Sequence, residues 1–125
     1  MTVEETFFST LTADGDVAPL IVSATSPVTH RLFAQIAPDN VAKPYIVYQI
    51  INAATPVYLT DMANIEDVRF QADVYSTTYS AGRALTDHIK DALNTNMNLS
   101  EFQFLSLYEV ETKLHRFFID FSVWE

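Results

Sequence analysis

The chain has 125 residues, a formal net charge of −9, no cysteine and only two glycines, and 49% of its residues are hydrophobic, 13% aromatic and 18% charged. That length suits one domain, residues 1–125, able to bury roughly two thirds of the surface its unfolded form exposes, and the absence of cysteine excludes disulfides, thiolate catalysis and Cys-ligated metals. The seven bases, Arg31, Lys43, Arg69, Arg83, Lys90, Lys113 and Arg116, form no stripe, which argues against gripping nucleic-acid phosphates or an anionic membrane.

Met1-Thr2-Val3-Glu4-Glu5 is acidic where a signal peptide would be basic, so synthesis and use in the cytoplasm, or assembly there into something larger, are expected. Thr2 and Glu5 spell a capping box, and Val3, Phe7, Phe8 and Leu11 share one stripe, which predicts a first helix ending near Thr12. Ala13-Asp14-Gly15-Asp16 reads as a turn, and residues 17–22 fit either one further helical turn or an irregular apolar segment. Residues 23–29 are rich in Ser, Thr and Pro and read as loop, after which 31–36 alternate as a strand that Pro38-Asp39-Asn40 breaks. Residues 45–51 are apolar on both faces, the pattern of a central strand covered on two sides. Residues 52–66 carry Pro56 and no period, and read as a long connection between antiparallel strands.

From Val68 the alternation is clean, with Val68, Phe70, Ala72 and Val74 inward and Arg69, Gln71, Asp73 and Tyr75 outward. Thr77 or Thr78 can cap a helix in which Ala81, Leu85, His88, Ile89, Ala92 and Leu93 share a face, ended by the Asn-rich run 94–98. Residues 102–111 and 115–124 form a hairpin joined at Thr112-Lys113-Leu114, with Phe117, Ile119, Phe121 and Val123 on one face. These elements predict an α+β fold, an antiparallel or mixed sheet of about four to five strands with two helices packed on one face.

Little in the chain points to chemistry. Gly15 and Gly82 belong to no phosphate-cradling loop, and no serine sits in a nucleophile elbow. Asp87, His88 and Asp91 fall within one helical turn and could hold a divalent ion, but the carboxylates lean away from the apolar side that contains His88, so no metal or cofactor is expected. Asp73 and Asp120 are lone acids in mid-strand. Each is expected to pair with Arg69, Arg83 or Arg116 and so to fix strand register or a subunit contact. The protein is read as a non-enzyme.

Three blocks stand out in order and spacing: Pro44-Tyr45-Ile46-Val47-Tyr48-Gln49, residues 69–85 from Arg69-Phe70-Gln71-Ala72-Asp73 onward, and Arg116-Phe117-Phe118-Ile119-Asp120 running to Trp124. With Leu11-Thr12-Ala13-Asp14, Val17-Ala18 and Thr60-Asp61 they resemble the tail-completion (tail-terminator, head-to-tail joining) proteins of long-tailed bacteriophages and phage-like particles such as gene transfer agents, although Tyr75 stands where Trp is common. The resemblance implies a small α+β subunit that closes into a ring, usually a hexamer. The ring would cap the finished tube of the major tail tube protein and meet the head completion or connector protein. DNA would be only a cargo in the lumen, no membrane or catalytic residue would be involved, and the site of action would be the head–tail junction of a virion assembled in the host bacterial cytoplasm.

A ring needs two complementary patches per subunit, which accords with the sparse surface charge. Pro56, Val57, Tyr58, Leu59, Asp61 and Met62 of the long connection, together with Asp73, Arg83 and Asp120, are the expected protein contacts. A neck or head-closure role in the same kind of particle is the nearest alternative, and a small-molecule-binding α+β domain, which would show a pocket with converging polar groups, the next.

Overall fold

The computed structural model describes residues 3–25, 28–38, 41–54, 67–97 and 99–124. Helix α1 (Val3–Ala13) carries Glu4 and Glu5 in its first turn, where the helix dipole favours negative charge, and buries Phe7 and Leu11 four residues apart. Beyond it the Asp14 carboxylate accepts hydrogen bonds from the Asp16 and Val17 amides at 3.0 and 2.9 Å, closing the turn that leads into the single-turn helix α2 (Ala18–Ile21). Residues 17–22 therefore contain a helical turn, with Pro19 near its start.

A two-stranded antiparallel ribbon follows, β1 (Val22–Thr25) and β2 (Val28–His30), where loop was expected. Its composition is turn-like, but the β-branched residues at 22, 25, 28 and 29 suit strands once they find partners. The main sheet begins with β3 (Leu32–Ala34), parallel to β4 (Tyr45–Ala54) in the register Leu32↔Ile46 to Ala34↔Tyr48. β3 is short because Gln35 turns away at φ 66°. β4 then runs antiparallel to β5 (Asp67–Ser76), from Tyr45↔Tyr75 to Ile50↔Phe70 and, past a bulge, to Ala54↔Asp67. The Thr78 hydroxyl caps α3 (Tyr79–Asn96) by accepting from the Ala81 amide at 3.2 Å. β6 (Leu99–Glu109) and β7 (Leu114–Trp124) form the expected hairpin, and its turn, residues 110–113, closes on Lys113 at φ 58° with Leu114 already in the strand.

The five strands lie in the order β3-β4-β5-β7-β6, a mixed sheet, and the long helices α1 and α3 pack on one face of it. The fold is α+β as expected. The core forms between these layers: the Phe7 ring meets those of Tyr48, Phe70 and Phe121 at 4.9, 5.4 and 5.5 Å, and Phe70 stacks on Phe121, its register partner across β5 and β7, at 5.1 Å. Val68, Phe70, Ala72, Val74, Phe117, Ile119, Phe121 and Val123 are all buried, so the strand phases read from the alternation hold.

Two readings need correction. The buried stripe of α3 includes Gly82 and Thr86 while Ala81 is exposed, and the Thr86 hydroxyl is satisfied inside the helix by donating to the Gly82 carbonyl at 2.9 Å. Among the described residues, helices cover β4 on one side, not two. Ile46 and Tyr48 are buried under the helices, whereas Tyr45 and Val47 are half-buried and Gln49 exposed on the face that no described helix covers.

Candidate interaction surface

The helix-free face is built from alternate residues of four strands. β4 contributes Tyr45, Val47 and Gln49, β5 Arg69, Gln71, Asp73 and Tyr75, β7 Arg116, Phe118 and Asp120, and β6 Gln103, Leu105 and Leu107. β5 and β7 share one spelling, Arg-Phe-x-x-Asp, and because they run antiparallel each base reaches the acid of the other strand along a diagonal. Arg69 donates from Nε and Nη2 to the two carboxylate oxygens of Asp120 at 2.9 and 2.6 Å, a bidentate fork. Arg116 Nη2 donates to Asp73 Oδ2 at 2.8 Å, with Glu109 farther off at 3.9 Å. Asp73 and Asp120 thus pair with arginines across the strands, as expected.

The surroundings tune these groups. The hydrogen bond from Arg69 holds the Asp120 carboxyl below the usual carboxylate value against the opposing effect of partial burial, with Gln103 adding a further hydrogen bond. Burial pulls the Arg116 guanidinium down, but the bond and charge of Asp73 more than offset it. The same guanidinium lies 5.6 Å from the Tyr75 ring centre and 5.4 Å from that of Phe118, and Tyr75 stacks on Tyr45 at 4.8 Å. Burial raises both of these phenols, which keeps them neutral. Asp73 Oδ1 and Arg116 Nε are buried with no partner among the described residues. The face therefore combines aromatic rings with charges that cancel within it, so covering it with a partner strands no unbalanced charge.

The β6 edge continues this surface. Leu105 is 58% and Leu107 45% exposed on the helix-free side, Tyr108 is 53% exposed on the other, and Val110 in the turn is 77% exposed. Sheet edges are ordinarily short, charged or covered, because unpaired backbone beside apolar side chains invites another chain. The eleven residues of β6 form such an edge, long and largely apolar. Its signal was in the sequence, since Phe102, Phe104, Leu105 and Leu107 make both faces of β6 apolar, but nothing in the pattern says that β6 is outermost.

The remaining expected contacts divide. Arg83 does not reach Asp73 or Asp120: it pairs with Asp87 one turn along α3 and lies over the Phe104 ring at 4.6 Å. Helical spacing of four residues brings that pair together locally, ahead of any partner on the opposite side of the sheet. No group of three metal-ligating side chains forms among the described residues. Pro56, Val57, Tyr58, Leu59, Asp61 and Met62 lie outside the described residues.

The model of the tail completion protein gp17 family matches residues 7–125. The chain belongs to this family. As a member of it the protein is a structural tail protein of the phage type. Among solved structures, a chain in the virion of a native gene transfer agent particle shares the fold with a TM-score of 0.64 at 14% identity, over 98% of this chain and 92% of that one. Comparison with curated proteins gives no match.

Proposed function

We propose that the protein completes the tail: copies of it close into a hexameric ring that caps the finished tail tube and then presents a docking surface to the head. The match of the family model over residues 7–125 carries this reading. The self-neutralised aromatic face and the apolar β6 edge support it, because a ring subunit needs such surfaces and a monomeric protein would normally shield them. Its partners are further copies of itself, the major tail tube protein and the head completion or connector protein, and the role is structural. DNA passes as cargo, and the net charge of −9 disfavours its adhesion to the lumen. The ring sits at the head–tail junction and is assembled in the bacterial cytoplasm.

Deleting the gene from the particle that encodes it and examining the products by electron microscopy tests the reading. Tails of irregular length and heads without tails are expected, both restored by the intact gene supplied in trans. A reconstruction of the wild-type particle that places single copies, or none, at the junction would overturn it.

A further inference from the structure

A subunit that closes a ring presents two different patches, one fitting the other on the next copy. The β6 edge is one such patch. At the opposite edge of the same sheet, β3 and α1 enclose an open groove of about 720 Å³ lined by Phe8, Leu32, Phe33, Ile36 and Pro38, with Ile36 80% exposed. The two patches also differ in charge. β6 and the turn after it carry Glu101, Glu109 and Glu111 against Lys113, with Arg116 of β7 lying 3.9 Å from Glu109, so the acids still outnumber the bases there. The β3 end carries Arg31 and Lys43: among the described residues the Arg31 guanidinium donates to neutral carbonyls, those of Leu20, Val22 and Pro44, and neither base has a carboxylate partner. Glu4 stands on the α1 side near Tyr48, so the positive pole of the groove lies at the β3–β4 end.

A symmetric contact between two β6 edges in register about Leu105 is disfavoured by the same charges. Paired antiparallel about Leu105, Glu101 of each copy would oppose Glu109 of the other, and like charges directly across a sheet are destabilising. Such a contact would also close as a dimer and stop.

We propose that the apolar β6 edge of one copy seats in the α1–β3 groove of the next, head to tail, with its acidic hairpin end towards Arg31 and Lys43. This rests on the ring reading and adds which two surfaces make the ring. Backbone pairing is limited to the three residues of β3, so the contact is carried by Leu105 and Leu107 in the groove and by the hairpin acids beside the two bases.

The chain has no native cysteine, so engineered cysteines report contacts without background. Leu105→Cys and Ile36→Cys, placed together in one chain and oxidised on purified particles, should give a ladder of cross-linked species up to the closed ring. Each single variant should give none. In solution, Leu105→Glu and Ile36→Asp should each weaken self-association about tenfold or more, and a mixture of the two should recover a heterodimer, because each retains the patch that the other lacks. Circular dichroism of both variants, whose changed side chains are exposed, checks that the fold is intact. A ring visible in particles whose double-cysteine chains do not cross-link overturns the proposal and leaves the ring standing, as does cross-linking of Leu105→Cys alone. A junction with no ring overturns both.

Discussion

Gly82 of α3 lies so close to Phe117 of β7 that a Cβ on the glycine would stand 2.4 Å from Cε1 and 2.7 Å from Cδ1 of the ring. A glycine inside a helix ordinarily costs about 1 kcal/mol relative to alanine, so at an exposed position Gly→Ala would stabilise. Here the added methyl must displace a fully buried aromatic ring, and overpacking of this kind costs about 1–3 kcal/mol. Gly82→Ala is expected to lower the thermal midpoint. A raised midpoint would show that α3 packs farther from the sheet than described.

Phe70 and Phe121 face each other across β5 and β7 with their rings stacked 6° from parallel under Phe7. Truncating either to alanine removes buried ring surface and leaves a cavity, at a cost of about 3–5 kcal/mol read from urea midpoints. Phe118→Ala, on the half-buried helix-free face of the same strand, should cost clearly less. Equal losses at Phe118 and Phe121 would mean that both faces of β7 are enclosed.

Arg116 and Asp73 form the less exposed of the two ion pairs that join β5 to β7 among the described residues, at 26% and 14% side-chain exposure. Removing the base alone strands the acid, so Arg116→Leu should destabilise by about 1–3 kcal/mol. The double variant Arg116→Leu with Asp73→Leu should recover part of that loss, with a coupling of about 1 kcal/mol in a double-mutant cycle. Strict additivity would show that the pair is decorative.

Acid should reveal the Asp120–Arg69 fork. The folded state holds the Asp120 carboxyl below its ordinary value of 3.8, so this contribution to stability is complete above that value and is lost as the pH falls through the lower folded value. The contribution is modest, because Arg69 is 48% exposed and screened by water. Between pH 5 and 2, Asp120→Asn should therefore show a slightly shallower decline of the urea midpoint than the parent. Identical slopes would mean that the carboxylate gains nothing from its partner.

The sequence was most legible where local and global signals agree. The alternation over Val68–Val74 and Phe117–Val123 assigns the buried face of the two central strands, and Thr78 marks the start of α3 because a hydroxyl just before an amphipathic run has one obvious use. Where placement depends on distant partners it was not. The β1–β2 ribbon exists because its two halves find each other, and three-residue β3 is held parallel to β4 through the Ile46 amide donating to the Arg31 carbonyl and the Gln35 amide to that of Tyr48. The interaction surface was half legible. Lone acids in mid-strand announce arginine partners, but which of Arg69, Arg83 and Arg116 each acid meets follows only from the β5–β7 register, and only the strand order makes β6 an edge.

While the sheet assembles, β5 and β7 can slide past one another in steps of two residues without moving any core side chain to the wrong face. A slide one way would carry each arginine four residues out of line with its aspartate, losing both ion pairs. A slide the other way would set Arg69 directly opposite Asp120 and Asp73 directly opposite Arg116, so the charges themselves tolerate that misalignment. What makes it costly is shape: Phe70 would meet Ile119 instead of Phe121, the stack beneath Phe7 would come apart, and Phe117 would leave the space that Gly82 keeps open for it. Ring packing guards this seam against error in both directions and charge adds to it in one, so the sheet's fidelity during folding rests on two kinds of force that fail under different conditions, cavity-forming substitutions for the first and acid for the second.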